Sequence, residues 1–314
     1  GCRTPRSPLH RRFPMITRLA PILLCLCAAF LHAAEEPPAF TRVKPGSTLQ
    51  SPAVTEASGL AASPTAADAL WLINDSGSPA VLHLAGTDGS DRGTVTLRDI
   101  RNTDWEDLAS FTLGGKPYLL VADTGDNGST RPECLLHVVA EPALPAAGKK
   151  LDETVSPAWT IRFRYDDGPR DCESVAVDAK AGKILLISKR TTPPVIYELP
   201  LKPVGHELVT AKRIGTIPTP FPAGNPQIPF AAQPTGFDLS ADGRFAVVVT
   251  YLGTFVFPKA AAESWPAAFT KPPLALEPHL LRQAESVAFS RDGSLIHAVS
   301  EGAKSPLVTY RLQR

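Results

Sequence analysis

The chain is poor in the signatures by which catalytic machinery is usually recognised. It has no G-x-S-x-G elbow, no H-E-x-x-H and no phosphate-cradling loop, so serine-hydrolase, zincin and P-loop chemistry have no motif to stand on. No zinc spacing is present. Outside residues 1–34 the only cysteines are Cys134 and Cys172. There too the basic residues number 27 against 31 acids, a balance of −4 with no basic stripe, which argues against nucleic acid as a partner. No apolar run is long enough for a comfortable helical span of a bilayer. The 32 prolines, about twice average usage, suit a loop-rich β protein and suit long helices badly.

What the chain does have is a repeat. Asp104-Trp105-Glu106-Asp107 has cognates at Asp171-Cys172-Glu173-Ser174 and Gln283-Ala284-Glu285-Ser286, with looser copies at Glu56-Ala57-Ser58-Gly59 and Gln233-Pro234-Thr235-Gly236. Each is followed 15 or 16 residues later by the end of an apolar run: LWLIND, YLLVAD, ILLISK, FAVVVTY and LIHAVSE. A unit recurring every 48 to 67 residues points to a repeat architecture. Each unit reads as a short strand, a long buried strand, and two more, with Asp-Gly turns at 242–243 and 292–293. The fold expected is all-β: a β-propeller of four-stranded blades, five in number, with a sixth only if 203–233 holds a degenerate one. Segment 38–50 is expected to supply the last blade's fourth strand and close the ring.

Residues 1–34 read as an export signal. Met15 and Arg18 precede an apolar stretch from Leu19 to Leu31, then small Ala33 and Ala34. Residues 35–314 are expected to form a single propeller domain, a periplasmic or secreted monomer with no membrane span after cleavage. In that oxidising setting Cys134 and Cys172 are candidates for a disulfide between the second and third blades, with two buried thiols as the alternative.

In a hairpin the start of the first strand and the end of the second share one end. The repeat therefore gathers Ser58, Glu106, Glu173, Thr235 and Glu285 at one mouth of the central channel, with Asp75, Asp123, Lys189, Tyr251 and Glu301 beside them. So many carboxylates around a small opening need a raised pKa, a cation or a metal. Asp75, Glu106, Asp123, Glu173 and Glu285 are the candidate ligands of a hard divalent ion, Ca²⁺ ahead of Mg²⁺. Lys189, Arg131, Tyr251, Asp104 and Asp171 are the candidate contacts of a small polar or anionic ligand. The bland alternative is that these acids cap strand ends. Asp123-Thr-Gly-Asp126-Asn127-Gly128 lacks the third and twelfth ligands of a helix-flanked calcium loop and reads as a turn, in which Asp126 and Arg131 are a candidate ion pair. His83, His137 and His297 lie in strands and read as core residues. Trp105 reads as a wedge between blades, with stacking on a ligand as the alternative.

With these motifs in hand, the chain resembles a group of uncharacterised secreted bacterial β-propeller proteins. The motifs that carry the likeness are Asn74–Gly77, Asp104–Asp107, Asp123–Asn127 with Arg131, and Asp167-Gly168 with Asp171 and Glu173. The sequence departs from that group at Ala122 and Thr124, and the group implies no assigned activity. In general architecture it also looks like calcium-dependent phytase and gluconolactonase-like propellers, and that resemblance implies a divalent metal in an acidic channel. Three functions stay open: a metal and polar-ligand binding protein, a metal-dependent hydrolase of phosphoesters or lactones with a rim carboxylate as base, and a protein-interaction scaffold.

Overall fold

The apolar runs become the buried second strands of five antiparallel meanders. The computed structural model describes residues 38–218, 221 and 231–313. The export segment 1–34, and most of the stretch in which a sixth blade was sought, lie outside them. The inner strands are Ala57–Ala62, Trp105–Leu113, Val175–Asp178, Gly236–Leu239 and Ala284–Phe289. Each pairs outward with an apolar strand: Ala69–Asn74, Lys116–Asp123, Lys183–Ile187, Phe245–Thr250 and Leu295–Ser300. Third strands follow at Val81–Gly86, Cys134–Ala140, Val195–Pro200, Gly253–Pro258 and Pro306–Gln313.

The inner strands adjoin one another in cyclic order, the fifth against the first, as the inner strands of a β-propeller do. Hydrogen bonds cross these junctions: Ser58 Oγ donates to Glu106 O at 3.1 Å, Thr235 Oγ1 to Ala284 O at 2.6 Å, and Ser286 Oγ to Ala57 O at 3.3 Å. The approach is close. A Cβ on Gly59 would lie 2.6 Å from Leu108 N, so no larger residue fits there without moving backbone. Trp105, fully buried, packs in a cluster with Trp71, Ile73 and Leu82 of the first unit, which makes it a wedge and not a ligand platform.

The ring closes through the chain's beginning, as expected. Ala39–Arg42 pairs antiparallel with Pro306–Gln313, Ala39 opposite Gln313, and the Phe40 ring lies 5.9 Å from that of Phe245. Outer strands behave less simply. Asp91–Leu97, Trp159–Tyr165 and Val209–Thr216 complete the first three units, but the fourth has only Leu274–Ala275. Leu151–Val155 adds in parallel to the first unit, and Trp159–Tyr165 pairs in parallel with Val209–Thr216. These pairings cover edges that would otherwise present unpaired amides.

The disulfide is absent. Cys134 and Cys172 are free thiols buried in one apolar cluster of the second and third units, and Cys172 Sγ lies 3.4 Å from Ile187 O. Burial pushes the Cys134 thiol up to about 12, so it is inert as a nucleophile. His83, His137 and His297 are buried strand residues; His137 and His297 bond Thr160 and Thr309 through Nδ1. Among the described residues no helix is long and apolar enough to cross a membrane.

Candidate metal and ligand site

The hairpins bring their motif ends together as the repeat requires. Asp75 N donates to Glu56 O at 2.9 Å, Thr124 N to Asp104 O at 3.1 Å, Lys189 N to Asp171 O at 2.9 Å and Glu301 N to Gln283 O at 3.0 Å. A feature absent from the sequence reading then aims the side chains. The ladder slips by one residue between Ala57 and Gly59, between Trp105 and Asp107, and between Ala284 and Ser286. The unpaired residue at each slip is the motif's own Ser58, Glu106 or Glu285. Such a bulge frees a residue from the pleat and redirects it.

Five acids converge. Asp75, Asp104 and Glu106 each place a carboxylate oxygen within 4.8 Å of the others, and Glu106, Asp171 and Glu173 do the same. Glu106 belongs to both triads. It is 5% exposed, as is Glu173; Asp171 is 1% exposed, while Asp75 and Asp104 are half-buried and face the solvent side. Burial, then the charges of Glu173, Asp75, Asp104 and Asp171, hold the Glu106 carboxyl well above its ordinary range. Burial likewise raises Asp75 and Asp104, and carries Glu173 up to about 7 against the opposing pull of Lys189.

Two cations answer the deeper triad. Lys189, 4% exposed, gives its Nζ to Glu173 Oε2. Arg190 Nε meets Asp171 Oδ2 at 2.5 Å and also reaches Asn127 Oδ1, while its amide donates to Gln233 Oε1 at 2.6 Å. A second arm begins where the Lys189 ammonium sits 5.4 Å from the centre of the Tyr251 ring. The Tyr251 hydroxyl donates to Glu285 Oε1 at 2.5 Å, and Glu301 binds Gln283 Nε2 at 2.6 Å. Burial, with Glu301 and Glu173 nearby, pushes Glu285 up to about 9.

Several expected roles meet a different arrangement. Asp123 stands outside both triads: its Oδ1 takes the Arg131 guanidinium at 2.7 Å and its Oδ2 the Thr103 amide at 3.1 Å. Asp123 ends its strand opposite Trp105, beside the slip at Glu106, and Asp104 is the acid of this hairpin mouth that stands in a triad with Glu106. Glu285 is likewise outside, committed to Tyr251. Asp104 and Asp171, expected as ligand contacts, stand among the metal-capable carboxylates. Arg131 pairs with Asp123 and not with Asp126; Asp126 instead accepts from the amides of Thr130 and Arg131, both at 2.8 Å, which makes 126–131 a side-chain-stabilised turn. Lys189 is enclosed by Glu173 and Tyr251, while Tyr251 and Arg131 keep partial exposure.

Other residues at the site escaped sequence reasoning. Asn102 Nδ2 donates to the carbonyls of Asn74 and Asp75, at 3.1 and 2.8 Å, and its Oδ1 takes the Trp105 amide at 3.0 Å, so it locks the first two hairpin mouths together. Asp107, fully buried below the cluster, accepts from Leu108 N at 2.8 Å, Val175 N at 2.7 Å and Phe237 N at 3.3 Å. Inner strands are edges, and their buried amides need acceptors. Asp238 does the same for Phe289 N at 2.8 Å. Both carboxyls are raised by burial, Asp238 to about 7.

The cluster fits a hard divalent ion on two observations. Its donors are all carboxylate oxygens, and an ion about 2.4 Å from each ligand spans oxygens up to about 4.8 Å apart. Gly125 also leaves a cradle. A Cβ there would stand 2.3 Å from Glu106 Oε1 and 2.4 Å from Asp104 Oδ2.

No protein-family model matches the chain, and no curated protein sequence matches it. Among solved structures it is similar to a chain of a nidogen/laminin complex (14% identity, 79% of this chain and 73% of that one, TM-score 0.42). It is similar to a luciferin-regenerating enzyme (10% identity, 88% and 95%, TM-score 0.43). It is also similar to a gluconolactonase from Xanthomonas campestris (11% identity, 88% and 95%, TM-score 0.46).

Proposed function

We propose that this chain is an exported β-propeller that binds a divalent metal, Ca²⁺ ahead of Mg²⁺, and with it a small polar or anionic ligand. One observation carries the reading: five carboxylates from three units converge, with only two cations in ion-pair contact among the described residues. Oxygens 4.8 Å apart in the ionised state repel by about 3 kcal/mol per pair at an effective dielectric of 20. Carboxylates from among Asp75, Asp104, Glu106, Asp171 and Glu173 would hold the ion, which when bound supplies positive charge and a Lewis-acid centre for an anionic ligand. The chain's own residues do the rest. Arg131 fixes Asp123 and the 123–131 turn over the mouth, Asn102 fixes Asp75, and the half-buried Tyr251 offers a hydroxyl at the rim.

Thermal melts test it. Ca²⁺ should raise the melting temperature and EDTA should lower it, with no shift in a Glu106→Gln/Glu173→Gln variant. No calcium shift in the parent protein would sink the reading. Export is tested by fractionating an expressing cell and sequencing the N-terminus of the released chain, expected at Glu35.

A second reading, a metal-dependent hydrolase of phosphoesters or lactones, draws on the Tyr251–Glu285 pair beside Lys189. The pair places a proton-bearing hydroxyl and a raised carboxyl at the same rim. A screen of phosphoesters and lactones with Ca²⁺, Mg²⁺ and Mn²⁺ separates it from binding alone.

A further inference from the structure

The two triads share Glu106 in the manner of a carboxylate bridging two metal ions, which in such centres lie about 3.5–4 Å apart. They are not equivalent, however. Both outer acids of the Glu106–Asp171–Glu173 triad already touch a cation: Glu173 holds the Lys189 ammonium and Asp171 the Arg190 guanidinium. Asp171 also takes the Asp126 amide on its other oxygen at 2.9 Å. In the Asp75–Asp104–Glu106 triad no lysine or arginine forms an ion pair among the described residues. Glu106 is the member both triads share. Its Oε2 takes the Ser58 hydroxyl at 3.1 Å, and its Oε1 faces the space left by Gly125, where a Cβ would stand 2.3 Å away.

We infer that Lys189 and Arg190 stand in for a second cation, confining the protein to one divalent ion held by Asp75, Asp104 and Glu106. The inference rests on the metal-binding reading above and assigns the subsite within it. Lys189 is suited to the task because it cannot retreat. Its ammonium lies between Glu173 and the face of Tyr251, and the side chain is 4% exposed, so the charge has no cheap route to water. A lysine is a fixed single charge with directional donors. It neutralises Glu173 without ligating an ion, which would leave Glu106 and the partly exposed Asp75 and Asp104 to hold one. An anionic ligand would then meet one metal ion at the mouth and the paired cations behind it.

Calorimetric titration of the purified chain with CaCl₂ decides this without an activity assay. The parent protein should take up one ion. Asp104→Asn should weaken binding by about thirtyfold or more, and Asp171→Asn by no more than about threefold. Lys189→Met frees Glu173 and should raise the stoichiometry from one ion to two. Lys189→Met/Glu173→Gln removes both charges and should return it to one. Should Lys189→Met not fold, the contrast between Asp104→Asn and Asp171→Asn carries the decision. Two ions in the parent protein overturn the inference, as does equal weakening by the two Asp→Asn changes or a single ion in folded Lys189→Met. If the parent binds no ion at millimolar CaCl₂, the metal reading itself fails and this assignment falls with it. If it binds one ion and the variants do not differ as stated, only the assignment fails.

Discussion

Glu106→Gln separates the charge of the site from its shape. Gln preserves the side-chain length and an oxygen able to accept from Ser58 Oγ, now 3.1 Å from Glu106 Oε2. It removes one buried negative charge that has four acidic neighbours, Glu173, Asp75, Asp104 and Asp171. A single ionised neighbour at 4.8 Å costs about 3 kcal/mol at an effective dielectric of 20. Four such contacts do not simply add, because proton uptake relieves the site first. At pH 8 that relief limits the penalty on a glutamate of ordinary pKa near 4.5 to about 5 kcal/mol. The substitution should therefore stabilise the metal-free protein by about 3–5 kcal/mol at pH 8, a rise of roughly 6–10 °C for a domain of this size. The sign with pH follows from the raised carboxyl. The folded protein keeps the proton where the unfolded chain has lost it, so stability falls as pH rises from the unfolded pKa through the folded one. Below about pH 4 both states are protonated and the advantage of the variant should vanish. Calcium works in the opposite direction: at about a hundred times its Kd it stabilises the parent by about 2.7 kcal/mol and should leave the variant almost unmoved. Melts by circular dichroism at pH 4, 6 and 8, with EDTA or CaCl₂, show all of this. A variant that melts below the parent in EDTA at pH 8, or keeps its full advantage at pH 4, refutes the electrostatic account of the cluster.

Two further perturbations test the supports of the site. Gly125→Ala would set a methyl 2.3 Å from Glu106 Oε1 and 2.4 Å from Asp104 Oδ2, so both carboxylates must swing aside. Calcium affinity by calorimetry should fall about tenfold or more in a folded protein, and an unchanged affinity would remove the cradle from the argument. Arg131→Met strands Asp123, which is 0% exposed, without its cation. Urea unfolding should show a loss of about 3–5 kcal/mol, most of it recovered when Asp123→Asn is added; a loss under about 1 kcal/mol would mean the pair contributes little.

The architecture was legible because it rests on periodicity. The apolar runs ending at Asp75, Asp123, Lys189, Tyr251 and Glu301 are buried second strands, and the turns at 242–243 and 292–293 form as read, with Asp242 and Asp292 accepting the amides of Arg244 and Ser294 at 3.0 Å. Segment 38–50 could be placed because the fifth unit lacked a strand and the chain's beginning had one to give. The parallel additions at the outer edges were not legible. Leu151–Val155 follows no motif and alternates too weakly to be told from a loop, and its pairing answers an exposed edge 54 or more residues earlier in the chain.

The site divides along the same line. That the acids share a mouth follows from hairpin geometry, and the sequence contains that geometry. Which acids face one another depends on a one-residue slip, and a slip of one inverts every side chain beyond it. Without the bulge at Glu106, strict alternation would put Trp105 and Asp107 on one face and Glu106 on the other. With it, Trp105 enters the core, Glu106 turns to the cluster and Asp107 drops beneath it to satisfy the amides of Val175 and Phe237. The four residues Asp104 to Asp107 thus stand in four separate settings: rim carboxylate, wedge, carboxylate shared by both triads, and acceptor of inner-strand amides. Glu285 has the same bulge yet ends on Tyr251, and the fifth unit carries Gln283, bonded to Glu301, where the second carries Asp104. The asymmetry of the cluster follows the motif's first position: the aspartates of the second and third units stand in the carboxylate triads, while the fourth and fifth units carry glutamine there.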